Sequence, residues 1–209
     1  MSAPGTPAVT GLLLAAGAGR RFGGPKGVVV RDGMPWVVRS ALILLEGGCG
    51  DVVVVTGARA KDVESLVEGC GDERICTVRC GTWSEGMGES LSAGLMALAT
   101  RGRLIPTQAL VHLVDLPDVG ADVVARVLSS ARMDGRAGPS EARSALVRAA
   151  YGGVPGHPVL IGSDHWDGVL QRTHGDIGAK AYLRRARPTL VECADLANGR
   201  DVDINPDPH

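Results

Sequence analysis

Apolar runs of strand length alternate along this chain with stretches whose apolar residues recur at helical spacing. Residues 9–15 form the first apolar run and predict a strand, broken from any leader-like hydrophobic stretch by Thr10 and Gly11. A glycine-rich loop follows over residues 17–26. Pro35, suited to the first turn of a helix, opens a segment reaching Glu46 in which Trp36, Val37, Ser40, Ala41 and Leu44 share a face. Residues 51–55 are a continuous apolar run closed by Gly57, the pattern of a strand buried on both faces. The rest continues the rhythm: helix 61–68, strand 74–79, helix 90–99, strand 109–114 and helix 121–131. A Gly/Pro/Ser-rich loop spans 133–141, strands 144–149 and 157–161 are able to pair, and helix 176–187 and strand 188–193 follow. Strands separated by helices in this way predict an α/β fold with a doubly wound, mostly parallel sheet. In such sheets ligands bind beyond the carboxyl ends of the strands, so the residues at strand exits carry the functional information.

Length and composition refine this picture. At 209 residues the chain suits one domain, 1–209, with residues 1–131 and 143–209 as two halves joined by a linker near 132–142. Hydrophobic residues make up 44% and aromatics only 3%, so the core has to be aliphatic. Glycine, at 30 residues, exceeds ordinary usage and points to tight turns and close backbone approach to a ligand. The net charge of −1 gives no pull toward nucleic acid, and no stretch is apolar for long enough to span a membrane. The charge is unevenly spread. Arg20, Arg21, Lys26, Arg31 and Arg39 face only Asp32 in the first forty residues, whereas Glu192, Asp195, Asp201, Asp203 and Asp207 face only Arg200 at the end. A basic head and an acidic tail suit a polyanion and a metal ion brought together; they also suit complementary solvated faces. Five cysteines without a C-x-x-C read as free thiols in a reducing cytoplasm.

Three strand exits carry candidate chemistry. The first opens into Gly17-Ala-Gly-Arg-Arg-Phe-Gly-Gly-Pro-Lys26. The dinucleotide template G-x-G-x-x-G needs glycine where Phe22 stands, and the P-loop template fails because Pro25 displaces the lysine. What remains is a nest of backbone N–H groups with Arg20 and Lys26, able to hold phosphate oxygens. The second is Asp115, closing an apolar strand, where a carboxylate can hold Mg²⁺ while the metal keeps its other positions for water and phosphate. Asp118, three residues on, reads as the cap of helix 121–131. The third is Asp201-Val-Asp203, two carboxylates on one side of an extended segment, with either able to ligate a metal. Elsewhere Gly86 and Gly88 allow close approach to a ligand, and Ser90 opens a helix, as part of a binding wall or simply as its cap. His157, between Gly156 and Pro158, is able to hydrogen-bond a ligand or to serve the fold.

The stretch Leu14-Ala15-Ala16-Gly17-Ala18-Gly19-Arg20-Arg21-Phe22-Gly23-Gly24-Pro25-Lys26 resembles the L-A-A-G-x-G-x-R-x-G-x-x-K signature of the MobA-like nucleotidyltransferases. More narrowly, the chain resembles the molybdenum cofactor (molybdopterin) cytidylyltransferases. Trp83-x-x-Gly86-Met87-x-x-Ser90-Leu91, Asp115-x-Pro117, Tyr151-x-Gly153-x-x-Gly156-His157-Pro158, Gly175-Asp176-x-Gly178-Ala179-Lys180 and Asp201-x-Asp203 follow in that family's order. The resemblance implies a Rossmann-like nucleotidyltransferase fold with a small β-containing acceptor lobe. It implies Mg²⁺-dependent transfer of a cytidylyl group from CTP to molybdopterin, with release of pyrophosphate. Leu14, Ala15, Ala16, Gly17, Gly19, Lys26, Gly86 and Ser90 would then bind nucleotide, and Lys26, Arg20 or Arg21, and Asp115 would act on the phosphates. Asp115 and Asp203, or Asp201, would hold the metal, and His157, Asp176 and Lys180 would hold the acceptor. A molybdoenzyme or its chaperone would receive the product. Related donors such as GTP, a different phosphorylated acceptor and a non-catalytic delivery module are the alternatives. An NAD(P)-dependent oxidoreductase would call for glycine at Phe22 and an acid at Thr56.

Overall fold

Leu12, Leu13 and Leu14 sit at the centre of the architecture: they belong to β1 (Val9–Leu14), every residue of which is buried. The computed structural model describes residues 9–101, 106–131, 138–173 and 178–202. The chain forms a hairpin of β2 (Val30–Arg31) and β3 (Met34–Pro35), then α1 (Trp36–Glu46), β4 (Asp51–Thr56), α2 (Ala60–Gly69), β5 (Ile75–Arg79) and α3 (Met87–Ala99). It continues with β6 (Gln108–Leu113), α4 (Ala121–Ser130), α5 (Pro139–Ser144), β7 (Leu146–Tyr151), β8 (Val154–Gly162), α6 (Trp166–Leu170), α7 (Lys180–Ala186) and β9 (Thr189–Glu192).

Seven strands make one sheet in the order β5-β4-β1-β6-β8-β7-β9. β1 pairs in parallel with β4 on one side and β6 on the other, and β8 alone runs against its neighbours. The pleat sends Leu13, Val54, Leu110 and Leu160 to the face covered by α1, α2 and α4. Leu12, Val55, Val111, Val159 and Ile161 go to the opposite face, under α3, α6 and α7. Both faces are therefore filled by aliphatic side chains, as burial on two sides requires. From β1 the chain first builds outward toward β5 and later crosses to β6. That reversal leaves a crevice at the carboxyl ends of β1 and β6.

Several expectations shift. The hairpin β2–β3 and the short helix α6 carried no clear apolar period and were not anticipated. The loop expected over 133–141 lies partly outside the described residues, and its end, from Pro139, is the helix α5. Gly120, not Asp118, stands at the N-cap of α4; the Asp118 carboxylate instead accepts hydrogen bonds from the Asn198 and Gly199 N–H groups at 2.7 and 3.2 Å. All five cysteines carry free thiols, and burial pushes that of Cys49 up to about 12. Among the described residues no helix is long and apolar enough to cross a membrane.

One buried group has a direct consequence for stability. His112 on β6, beside Leu13, is completely buried, and neither ring nitrogen has a hydrogen-bond partner among the described residues. Burial lowers its pKa from 6.5 to about 4, so the folded ring stays neutral where the unfolded one takes up a proton. The unfolded state therefore gains protons as pH falls from about 6.5 toward about 4, and stability should drop by about 1.4 kcal/mol per pH unit for this group. Urea unfolding of the wild type and of His112→Leu, followed across that interval, checks this. The variant should show the flatter pH dependence, and an equal slope in both would remove His112 as its source.

Candidate active site

Beyond Leu14 the chain stays tied to its neighbours for two more residues. The Ala15 N–H donates to the Val55 carbonyl at 3.0 Å, and the Ala58 N–H donates to the Ala16 carbonyl at 2.9 Å. The loop then closes on one atom: the Gly19 carbonyl accepts hydrogen bonds from the N–H groups of Phe22, Gly23 and Gly24 at 2.9–3.1 Å. Gly19 has φ of +56°, and a side chain there would strike the Gly24 carbonyl. Only glycine meets both conditions. Phe22 is buried, with its ring centroid 5.7 Å from that of Trp36, so this residue pins the loop to the core. That explains the failure of the dinucleotide template: the loop turns back on itself instead of running into a helix. Among the described residues, the N–H groups of Gly17, Ala18, Gly19 and Arg20 have no acceptor in the protein. They form a ready cradle for anionic oxygens.

This loop walls a cavity of about 480 Å³ at the crevice between β1 and β6. Arg20, Arg21 and Lys26 line it from the loop, Asp115 from the exit of β6, and Asp201 from the C-terminal segment. Lys26 Nζ lies 2.9 Å from Asp115 Oδ2, with the two side chains only 11% and 22% exposed. The pair keeps either charge from facing the cavity wall alone. Asp115 is positioned because the Val114 N–H donates to the Leu14 carbonyl at 3.2 Å, extending the β1–β6 ladder one residue past the end of β6. Asp201 is brought in by Asp118, which holds the Asn198–Gly199 backbone, and by the Val202 N–H, which donates to the Asp115 carbonyl at 3.0 Å. Asp203 lies outside the described residues. Among the described residues no group of three or more His, Cys, Asp or Glu is arranged to hold a metal. Two carboxylates in a cavity walled by phosphate-type donors nevertheless fit a hard divalent cation that takes its remaining oxygens from substrate and water.

The opposite wall comes from Trp83, Ser84, Gly86, Met87 and Ser90. The helix α3 begins at Met87 with Gly86 at its N-cap, so the buried Ser90 sits in the first turn and does not open the helix as expected. A second cavity, of about 300 Å³, shares Leu14 and Met87 with the first, so the two adjoin. His157, Lys180 and Arg148 are its polar lining. The Tyr151 hydroxyl donates to the His157 carbonyl at 2.7 Å. The tyrosine ring lies against both Gly156 and Gly199, where a Cβ would come within 2.7 and 2.2 Å of it. The His157–Pro158 peptide is cis. Burial, then the Arg148 charge, then His112 push the His157 pKa down to about 3, so this imidazole is neutral. Asp176 lies outside the described residues, and the observed helix α7 begins only at Lys180. Arg148 was missed by sequence reasoning, although a lone arginine among the apolar residues of Leu146-Val-Arg-Ala-Ala was a visible signal.

The description "MobA-like NTP transferase domain" matches residues 11–190. The nicotine blue oxidoreductase of Paenarthrobacter nicotinovorans is 37% identical over 211 residues, covering 94% of this chain and 93% of its own. A nucleotidyl transferase from Methanothermobacter has the same fold with a TM-score of 0.73 at 20% identity, covering 94% of this chain and 92% of its own. So does Rv0371c of Mycobacterium tuberculosis, with a TM-score of 0.71 at 22% identity and coverage of 96% and 95%. The same mycobacterial protein has been solved with manganese, and that structure aligns with a TM-score of 0.63 at 20% identity, covering 89% and 87%. Closed loop, strand-exit aspartate and sheet order thus agree with a family match spanning most of the sequence: the chain belongs to the MobA-like NTP transferase family of nucleotidyltransferases.

Proposed function

We propose that the chain transfers a cytidylyl group from CTP to a molybdopterin-type acceptor. The observation that carries this reading is the pair of adjoining cavities, one rich in phosphate donors and the other apolar with a few polar groups. The triphosphate lies in the first, its oxygens on the Gly17–Arg20 amides, with Arg20 or Arg21 and Lys26 neutralising it. The acceptor lies in the second, against His157 and Lys180, with Asp176 as a further contact. An oxygen of its terminal phosphate attacks the α-phosphorus; the new P–O bond forms as the bond to the bridging oxygen breaks, and pyrophosphate leaves with that electron pair. The attacking oxygen is already anionic, so no side chain has to remove a proton, and a neutral His157 suits a positioning role. Catalysis is then mainly alignment and charge neutralisation. Asp115 and Asp201, with Asp203 as a third candidate, would hold Mg²⁺; when bound, the ion withdraws charge from the phosphoryl oxygens. The manganese complex of the mycobacterial relative agrees with a divalent ion here. In this scheme residues 1–131 serve mainly the nucleotide and 143–209 mainly the acceptor, and the product passes to a molybdoenzyme or its chaperone.

A second reading is favoured by the identity to nicotine blue oxidoreductase. The same two cavities would hold a redox nucleotide and a conjugated acceptor, with a hydride passing between them. Incubation with Mg²⁺, each of the four triphosphates and molybdopterin decides between the two. Pyrophosphate released with CTP supports transfer. No release with any triphosphate, together with NAD(P)H consumption in the presence of a quinonoid dye, supports the redox reading.

Two variants probe the shared phosphate site. Lys26→Ala should still show the folded spectrum by circular dichroism but with a lowered melting temperature, since the pair with Asp115 is largely buried and removing one partner of such a pair costs about 3 kcal/mol. Turnover should fall at least about a hundredfold, on the scale of a lost transition-state charge contact. Free Asp115 should meanwhile bind Mn²⁺ more tightly in the absence of nucleotide, which titration calorimetry would read. Asp118→Ala should leave the melting temperature nearly unchanged but weaken Mn²⁺ binding about tenfold, because Asp201 is no longer held beside Asp115. Unchanged metal affinity would separate the C-terminal segment from the site.

A further inference from the structure

We propose that Arg148 selects the ligand of the second cavity, and that this cavity takes a molecule with an apolar or aromatic body bearing one anionic group. The inference rests on the reading that the second cavity is the acceptor side of the site.

Arg148 lies on β7, the next-to-last strand of the sheet, opposite Val159 of β8 and beside Leu190 of the edge strand β9, and is half-buried. Its Nε donates to the Gly156 carbonyl at 2.8 Å and its Nη2 to the Pro155 carbonyl at 3.2 Å. These two bonds fix the plane of the guanidinium. No carboxylate among the described residues pairs with it. Arg59, Arg74, Arg79, Arg101, Arg126 and Arg143 each meet an Asp or Glu, whereas Arg20, Arg31, Arg172, Arg184, Arg185, Arg187 and Arg200, which have no such partner among the described residues, are exposed to water; Arg148 lacks the partner and is half-buried. Removing a cation from water without a counter-charge is costly, and a guanidinium stays protonated at neutral pH even when desolvated. The fold therefore maintains an uncompensated positive charge on the wall of an otherwise aliphatic cavity, formed by Leu91, Val111, Val159, Ile161 and Leu183. Lys180 adds a second cation at the rim, and neutral His157 adds none. An anion is the complement that this wall lacks, and a planar fork held from behind by two carbonyls favours carboxylate or phosphate oxygens. A purely structural arginine would serve the start of β8 equally well whatever the ligand's charge.

The test uses two molecules of nearly equal shape, 2-naphthoate and the neutral 2-naphthylmethanol, titrated against the full chain by calorimetry. The wild type should bind the carboxylate at least about tenfold more tightly, the scale of one charge-assisted hydrogen bond. Arg148→Met should bring the naphthoate affinity down to that of the alcohol and leave the alcohol's affinity unchanged, and Arg148→Lys should restore part of the preference. The melting temperature of each variant reports on the loss of the bonds to Pro155 and Gly156 of β8. Equal affinity of both molecules for the wild type, no binding of either at millimolar concentration, or a preference that survives in Arg148→Met would overturn the proposal. Because no turnover is measured, a failure of the cytidylyl-transfer reading and a failure of this one show in different experiments.

Discussion

The hydrogen bond from the Val114 N–H to the Leu14 carbonyl is the hinge on which the site is built. It ties the last residue of β1 to the first residue beyond β6, where a doubly wound sheet is free to open. The glycine-rich loop begins on one side of that bond and Asp115 stands on the other. Lys26 returns from the far end of the loop to meet Asp115 across it. The C-terminal segment, through Val202, uses the next carbonyl in line. Three stretches of sequence, remote from one another along the chain, are thereby referenced to a single pair of strands. A parallel pair buried on both faces is among the stiffest supports a sheet provides, and precision at the site follows from that stiffness.

The sheet and its helices were legible because long aliphatic runs and helical spacing leave few alternatives. Strands 51–55 and 109–114, and helices 35–46 and 121–131, lie within two residues of their observed ends. The reversed direction of β8 was not legible. An apolar run states that both faces are covered but not which way the strand points. Ser90 was misplaced for a local reason: Gly86, with φ of +133°, starts the helix a turn earlier than the serine suggests. Asp118 was misread because a carboxylate just before a helix has the composition of a cap, while its true partners lie eighty residues away. The loop and Asp115 were visible both as chemistry and through the family's motifs. Arg148 belongs to no motif and becomes meaningful only when its missing counter-charge is seen in three dimensions.

The two adjoining cavities differ in their linings. The first presents backbone N–H groups and a few charges. The second is lined by side chains from β6, β8, α3 and α7 that also belong to the buried core between the sheet and those helices, so a change in its shape is also a change in packing. On the proposed reading the first would hold the nucleotide and the second would select what the nucleotide meets.

The ring of Tyr151 is shared by two parts of the candidate site. A Cβ at Gly156, next to His157, or at Gly199, two residues before Asp201, would come within 2.7 Å of it. Its hydroxyl also donates to the His157 carbonyl. The strand that carries His157 and the segment that leads to Asp201 therefore rest on one aromatic ring, and a side chain added at either glycine would push that ring away from the other contact as well.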